Sequence, residues 1–182
     1  MKRALIPLAP GFEEIEAVTV IDVLRRAGVE VVVAGTQPGP IEGSHGIQVT
    51  PDKKLEEVRA EEFDMIVLPG GGKGVENLKK HPKIPALLGD FFAKDKVVAA
   101  ICAAPSLLAA NGLLCGKRAT SHPSVKEKVA ETSNYSEQRV VTDGKLVTSR
   151  GPGTAMEFAL KLVEILAGAE KVSELKTAML VR

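Results

Sequence analysis

Short apolar segments rich in β-branched residues recur along the chain, and segments with helical periodicity separate them. The four clearest are Ala4–Leu8, Val29–Ala34, Met65–Leu68 and Val97–Ile101. Strands that are apolar on both faces are typical of parallel sheets covered by helices on each side. The alternation therefore predicts an α/β fold whose central sheet is mostly parallel.

Helical segments occupy the intervals between these strands. The predicted helices are Glu13–Ala27 with a stop at Gly28, Ile84–Phe92, Pro105–Ala110, Val125–Ala130, and Met156–Leu166 with a stop at Gly168. Asp143-Gly144 predicts a β-hairpin near Arg139–Ser149, and Ile41–Thr50 is expected to form short extended pieces. We predict one domain over residues 1–182, built as a three-layer α/β/α sandwich with right-handed crossovers.

The composition excludes several classes of protein. Twenty-four basic and 23 acidic residues leave a formal net charge of +1, which indicates no basic surface for nucleic acid. Five Phe, one Tyr and no Trp supply no platform on which bases could stack. Two cysteines are too few for a disulfide scaffold and indicate a reducing compartment, so we expect a cytoplasmic protein.

Two segments imitate a targeting signal or a membrane span. Ala4–Ala9 follows two basic residues, but it is too short for a signal peptide, and acidic residues follow soon after. Val97–Gly116 is uncharged over about the length of a membrane span, yet Pro105 and Gly112 interrupt it. We interpret it as a buried strand running into a buried helix and expect no membrane partner.

Cys102 lies where a predicted buried strand turns directly into a helix. Ala100 and Ala104, two residues before and after it, are small, as the tight turn of a nucleophile elbow requires. The amides and dipole of the following helix should lower the pKa of the thiol. We interpret Cys102 as a nucleophile at the carboxyl edge of the sheet, where open α/β sheets bind ligands; a buried structural cysteine is the alternative.

Two further segments could contribute to a site at this edge. Leu68–Gly74 fits neither a phosphate loop nor a dinucleotide-binding pattern, so it is either a tight turn or a source of backbone donors for an oxyanion hole. Glu13, Glu14 and Glu16 open the first helix, where acids usually face solvent and serve the helix dipole. One of them could instead reach Cys102, and the sequence does not select which.

The histidines and the second cysteine show no metal-ligand spacing. His45, His81 and His122 are scattered along the chain, and Cys115 lies in a turn-like stretch. We therefore expect neither a metal nor a cofactor. His122 follows a possible short strand, Arg118–Thr120, and is either structural or close to the cysteine.

The ordered motifs resemble the ThiJ/PfpI superfamily and, within it, the DJ-one clade of parkinsonism-linked protein deglycases. The resemblance runs along almost the whole chain. Its motifs are Lys2–Leu5, Gly11–Glu16, Arg25–Gly28, Val33–Gly35, Leu68–Gly71, Ala100–Ala103, Thr120–Pro123 and Thr148–Thr154.

This resemblance implies a flavodoxin-like fold, a homodimer and roles for individual residues. It implies that Cys102 is a reactive, oxidation-prone cysteine and that Glu16 is the acid whose protonated carboxyl hydrogen-bonds the thiolate. Gly71 and Ala103 match the backbone donors beside the sulfur, and His122 matches a nearby histidine.

Three positions depart from related patterns. Ala103 stands where protease-like and chaperone-like relatives place a histidine after the cysteine. Ser124 follows Pro123, so the His-x-Glu dyad of class I glutamine amidotransferases is absent. His45 replaces the arginine that the clade often has in this region, which changes any anion contact or dimer contact there.

The function that the resemblance implies is a cofactor-independent hydrolase or lyase of glyoxalase III or deglycase type. Its substrates would be small reactive carbonyls such as methylglyoxal and glyoxal, or glycated proteins carrying their early adducts. The first alternative is a redox-sensing or chaperone-like stress protein in which Cys102 oxidises. The second is a cysteine peptidase or amidase, which Ala103 and the missing dyad disfavour.

Overall fold

A seven-stranded sheet forms the centre of the computed structural model, which describes all residues from Met1 to Arg182. The strands in chain order are β1 (Arg3–Leu8), β2 (Glu30–Gly35), β3 (Ile41–Glu42), β4 (Gln48–Val49), β5 (Lys53–Lys54), β6 (Met65–Leu68), β7 (Val97–Ile101), β8 (Arg118–Ala119), β9 (Asn134–Tyr135), β10 (Val140–Asp143) and β11 (Leu146–Ser149). The central sheet has the order β10-β11-β7-β6-β1-β2-β5. Only β10 is antiparallel to its neighbour, and β3–β4 and β8–β9 form two small separate sheets.

Helices cover both faces of this sheet because successive strand residues point to opposite sides. The helices are α1 (Glu14–Arg26), α2 (Gly72–Lys80), α3 (Lys83–Ala93), α4 (Pro105–Ala110), α5 (Lys126–Ala130), α6 (Ala155–Ala167) and α7 (Ala169–Ala178). One core packs α2 to α5 against strand residues such as Leu5 and Ile66. The other packs α1, α6 and α7 against their neighbours Ile6 and Val67. The predicted three-layer α/β/α fold is confirmed.

The predicted elements agree with the structure except at a few short ones. The hairpin forms as expected, but Asp143 pairs with Leu146, so Gly144 and Lys145 are the turn residues, and Gly144 has φ +61°. Helix α2 has no clear signal in the sequence, because glycines and lysines at its start hide its short apolar face. Elements α7, β5 and β9 also lack a signal, because they bury few side chains.

The topology brings the ends of three strands together at one edge. β1, β6 and β7 are neighbours, and each runs in the same direction into a loop followed by a helix. The helices α1, α2 and α4 therefore begin side by side at the carboxyl edge of the sheet. No helix in the structure is both long and apolar enough to cross a membrane.

Candidate active site

Cys102 occupies a strained turn between β7 and α4. Its φ is +65°, a left-handed conformation that costs a non-glycine residue roughly 1–2 kcal/mol. Two backbone hydrogen bonds hold it there: the Cys102 N–H donates to the Ser149 carbonyl at 2.9 Å, and the His122 N–H donates to the Cys102 carbonyl at 2.8 Å. Ala100 and Ala104 are fully buried beside the turn, as a nucleophile elbow requires.

Glu16 is the acid of the first helix that reaches the cysteine. It lies in the first turn of α1 on the face that packs against the sheet, and its side chain is 0% exposed. Its Oε2 accepts the Gly70 N–H at 2.8 Å, and the carboxyl lies beside the Cys102 side chain, with which it interacts electrostatically. The other oxygen, Oε1, is buried and has no hydrogen-bond partner.

The glycine loop after β6 is needed for close approach as well as for a turn. A Cβ at Gly70 would lie 2.4 Å from Glu16 Oε2 and 3.1 Å from Cys102 Sγ. Gly71 has φ +87°, and a Cβ there would lie 2.4 Å from the Gly11 carbonyl oxygen. The backbone N–H groups of Gly71 and Ala103 lie beside the Cys102 sulfur and act to lower the pKa of the thiol. The two expectations for this loop, a tight turn and a donor site, are therefore compatible.

Glu16 and Cys102 form a coupled buried pair. Burial raises the pKa of Glu16 to about 7, although hydrogen bonds from Cys102 and Gly70 oppose the shift. Burial, together with the neighbouring Glu16 charge and hydrogen bond, raises the pKa of Cys102 to about 12, which outweighs the Gly71 and Ala103 amides. The expectation of a lowered thiol pKa was wrong, because it considered only the helix N-terminus and not desolvation beside a carboxylate. The two groups titrate as a coupled pair that retains a proton into alkaline pH, because the first negative charge opposes formation of the second.

His122 lies beside the cysteine through its backbone. Its Nδ1 accepts the Ser124 N–H at 3.2 Å and lies 2.8 Å from Ser124 Oγ, so the ring caps the turn that follows it. In the neutral ring this arrangement leaves the proton on Nε2. Cys115 is exposed in a turn and takes no part in the site.

Glu14 and Glu13 meet the β3–β4 hairpin at the mouth of the site. Glu14 is only 4% exposed, and it accepts the backbone N–H groups of His45 at 2.6 Å and Ile47 at 3.4 Å. Burial raises the pKa of Glu14, but hydrogen bonds from His45 and Ser44 outweigh it and lower the value to about 2. First-turn acids usually face solvent, but Glu14 does not, and Glu16 is the acid of the three that lies beside Cys102. Their partners lie 31 and 54 residues away, so no local signal reveals them.

Similarity to known proteins extends over the whole chain. The DJ-1/PfpI family matches residues 2–165. Protein dj-1beta of Drosophila melanogaster is 46% identical over 182 residues, covering 99% of this chain and 97% of that protein. The crystal structure of Drosophila melanogaster DJ-1beta has a TM-score of 0.96 at 45% identity and covers 100% of this chain and 98% of that chain.

Two other relatives are similar over nearly their full length. The glutathione-independent glyoxalase DJR-1.2 of Caenorhabditis elegans is 42% identical over 176 residues, covering 96% of this chain and 94% of that protein. The structure of oxidized Toxoplasma gondii DJ-1 has a TM-score of 0.93 at 40% identity, with 99% and 98% of the two chains covered.

The close approach at Gly70 predicts an asymmetry between two neighbouring glycines. Gly70→Ala should lower the free energy of unfolding by about 1–3 kcal/mol, because the new methyl group displaces the Glu16 carboxyl or the Cys102 side chain. Gly72→Ala is the control, since its Cβ would meet no atom within 4 Å, and its effect should stay within about 0.5 kcal/mol. Urea unfolding measures both values, and equal losses would contradict the packing described for Gly70.

The two buried glutamates should have opposite effects on the pH dependence of stability. The folded pKa of Glu16, about 7, exceeds the ordinary value of 4.5, so this side chain stabilises the fold in acid and loses that effect as pH rises. The folded pKa of Glu14, about 2, lies below 4.5, so its contribution is present near neutrality and is lost in acid.

Substitution of either glutamate by Gln removes the contribution of that residue to the pH dependence of stability. From about pH 4 to about pH 7.5, the stability of Glu16→Gln relative to the native chain should rise on the order of 3 kcal/mol. From about pH 6 to about pH 3, the stability of Glu14→Gln relative to the native chain should also rise, by up to a similar amount. Urea titrations in metal-free buffer across this range give both differences. Parallel curves for the two variants would show that the environments of the two carboxyls are not opposed.

Proposed function

The chain belongs to the DJ-1/PfpI family, and we propose that it is a cofactor-independent enzyme that uses Cys102 to convert reactive carbonyls such as methylglyoxal. The observation that carries the proposal is the convergence of a thiol, a proton-sharing carboxyl and two backbone donors at one point of the sheet edge. The Caenorhabditis elegans relative, named a glutathione-independent glyoxalase, supports the same reaction class.

The first step forms a bond between sulfur and the aldehyde carbon. The Glu16 carboxylate takes the thiol proton as Cys102 Sγ attacks the aldehyde carbon. The former carbonyl oxygen becomes an oxyanion, which the N–H groups of Gly71 and Ala103 stabilise; loss of one such donor typically costs ~10²–10³ in rate. The proton on Glu16 then neutralises the oxyanion, which gives a neutral hemithioacetal.

The second step moves a proton between the two substrate carbons. The Glu16 carboxylate removes the hydrogen from the carbon bound to sulfur, which gives an enediolate. The hydroxyl proton then passes from the oxygen on that carbon to the oxygen on the adjacent carbon, and Glu16 returns its proton to the adjacent carbon. The product is a thioester of the hydroxy acid, and water cleaves it to release lactate and restore the thiol. A carboxyl with a pKa near 7 suits this exchange, because it accepts and donates protons with similar ease at neutral pH.

The role proposed for His122 follows from its second ring nitrogen, Nε2, because Nδ1 already contacts Ser124. Ser124 occupies Nδ1, so only Nε2 can serve a substrate or water. We assign it to orienting the water that hydrolyses the thioester, not to forming a Cys-His pair. Deglycation of protein adducts would begin with the same addition step. Cys102 would attack either the carbonyl carbon still bound in an early protein adduct or the free carbonyl compound released from it.

A redox-responsive, chaperone-like stress role is the second candidate function. Cys102 is only partly buried, and the Toxoplasma gondii relative of known structure is an oxidized DJ-1. Hydrogen peroxide would convert the thiolate to a sulfenic and then a sulfinic acid, with reduction of peroxide to water at each step. The two roles differ in a simple way: the enzyme turns over carbonyls while reduced, whereas the sensor is inactive until oxidised. The peptidase alternative has no supporting contact, because Ala103 follows the cysteine.

The homodimer and the cytoplasmic location are also proposals. Ile15 and Val18 on α1 are 56% and 44% exposed, and Ile47 on the neighbouring β3–β4 hairpin is 57% exposed. Exposed apolar side chains beside a functional edge are typical of an interface between protein chains. We propose that a second copy covers this surface. The cytoplasmic location rests on the cysteine content alone.

Turnover of methylglyoxal to lactate without glutathione tests the enzyme proposal. Cys102→Ser should abolish turnover, and Glu16→Gln should lower kcat on the order of 10²-fold or more, because Gln cannot take up and return a proton. Cys115→Ser and Asp22→Asn are matched controls, since Cys115 is an exposed turn residue and Asp22 an exposed α1 residue paired with Arg26. Near-native turnover by Glu16→Gln would refute the proton-transfer role. Turnover that appears only after peroxide treatment would favour the redox function.

Light scattering at micromolar concentration tests the dimer. The mass should be roughly twice that of one chain, as expected for the commonest symmetric oligomer. Ile15→Glu should shift the mass to that of a monomer, whereas Ile165→Glu on α6, 37% exposed and outside this surface, should leave the dimer intact. A single-chain mass for the unsubstituted protein would exclude the dimer without affecting the catalytic proposal.

A further inference from the structure

A second group of polar side chains converges where the β3–β4 hairpin meets the start of α1. His45 Nδ1 lies 3.0 Å from Glu14 Oε2 and 3.7 Å from Glu13 Oε1, and ligand atoms from all three residues lie within 4.8 Å of one another. Ser44 Oγ lies 3.0 Å from His45 Nδ1 and 3.1 Å from one oxygen of each carboxylate. One imidazole, one hydroxyl and two carboxylates from two separate chain segments therefore lie close together.

The separations match the edges of a tetrahedral metal site. Zinc bound at about 2.0–2.1 Å by nitrogen and oxygen ligands places those ligands about 3.3 Å apart. The distances from His45 Nδ1 to its three neighbours, 3.0 to 3.7 Å, scatter around that value.

The charge of the group also favours a cation. Glu14 is nine-tenths buried, and neither Glu13 nor Glu14 forms an ion pair with a lysine or arginine. Hydrogen bonds stabilise the Glu14 carboxylate, and the imidazole of His45 is the one partner of the two acids that can carry a positive charge. A divalent ion at this point would balance both negative charges.

The backbone holds Glu14 in place before any ion arrives. The N–H groups of His45 and Ile47 fix its Oε1, which leaves Oε2 directed at the imidazole. Gly43 makes this approach possible, because a Cβ there would lie 2.4 Å from the Glu14 carboxyl. Such supporting hydrogen bonds are what orient the ligands of established metal sites.

We propose that Glu13, Glu14 and His45 bind a divalent transition-metal ion of the zinc class, with Ser44 Oγ or a water as the fourth ligand. A nitrogen ligand favours zinc-like ions over magnesium and calcium, which select oxygen alone. Binding displaces the proton between His45 and the carboxylates and releases it to solvent. The expectation of no metal came from spacing along the chain, and these ligands are 31 residues apart. The proposal is independent of the carbonyl activity.

Zinc titration calorimetry of the full chain tests the site. The protein should carry Cys102→Ser and Cys115→Ser, so that no thiol can bind the metal and the catalytic function plays no part in the result. We expect one zinc ion per chain with a dissociation constant on the order of 1 µM or tighter, and no heat with magnesium. Addition of His45→Asn to this background should weaken binding at least about tenfold.

His81→Asn in the same background is the matched control, because His81 contacts one carboxylate, Glu56, and no third ligand. It should leave the zinc affinity unchanged. Cobalt supplies a second readout: the visible absorption of tetrahedral Co²⁺ should be present in the background protein and absent from His45→Asn. Equal zinc affinity of the His45 and His81 variants, or no binding in the micromolar range, would overturn the proposal. Circular dichroism of each variant shows whether a loss of binding reflects unfolding.

Discussion

A carboxyl buried against a sulfur organises the functional edge of this protein. Glu16 is removed from solvent and held by the Gly70 amide, and it shares its remaining hydrogen-bonding capacity with Cys102. Two acidic groups this close cannot both ionise at moderate pH, so the pair retains one proton and can move it between oxygen and sulfur. The cysteine is therefore not a free thiolate awaiting a substrate; its reactivity depends on the neighbouring carboxyl.

Several local features exist to permit this contact. Gly70 lacks a side chain where any Cβ would collide with the carboxyl, and Gly71 adopts a backbone conformation that also brings it against Gly11. Cys102 is held at φ +65° by the Ser149 and His122 backbones, which directs Sγ toward Glu16. Buried acid, strained cysteine and close-packed glycines each reduce stability, and the two apolar cores on either side of the sheet offset that cost.

Environment, not residue type, distinguishes the two buried glutamates of α1. Glu16 faces the apolar interior and one amide, so burial dominates and its pKa rises; Glu14 receives N–H and imidazole donors from the hairpin, so its pKa falls. One becomes a group that can exchange protons near neutral pH, and the other a permanent anion. The Glu14 anion holds the β3–β4 hairpin against α1 through hydrogen bonds, and its charge favours a cation at this part of the sheet edge.

Local patterns along the chain were enough to predict most of the architecture. Apolar runs such as Met65–Leu68 and Val97–Ile101 identified strands that are buried on both faces. Ala100 and Ala104 identified the elbow around Cys102. Both patterns could be recognised because they depend on residues only a few positions apart. Residue patterns did not distinguish Glu16 from Glu13 and Glu14, and only the resemblance to a family singled it out. The tertiary structure decided how deeply Glu16 is buried beside the sulfur, that the thiol pKa is raised, and that His45 closes on two carboxylates. Those properties depend on groups that are 31 or more residues apart and on how completely water is excluded between them, which no local pattern in the sequence encodes.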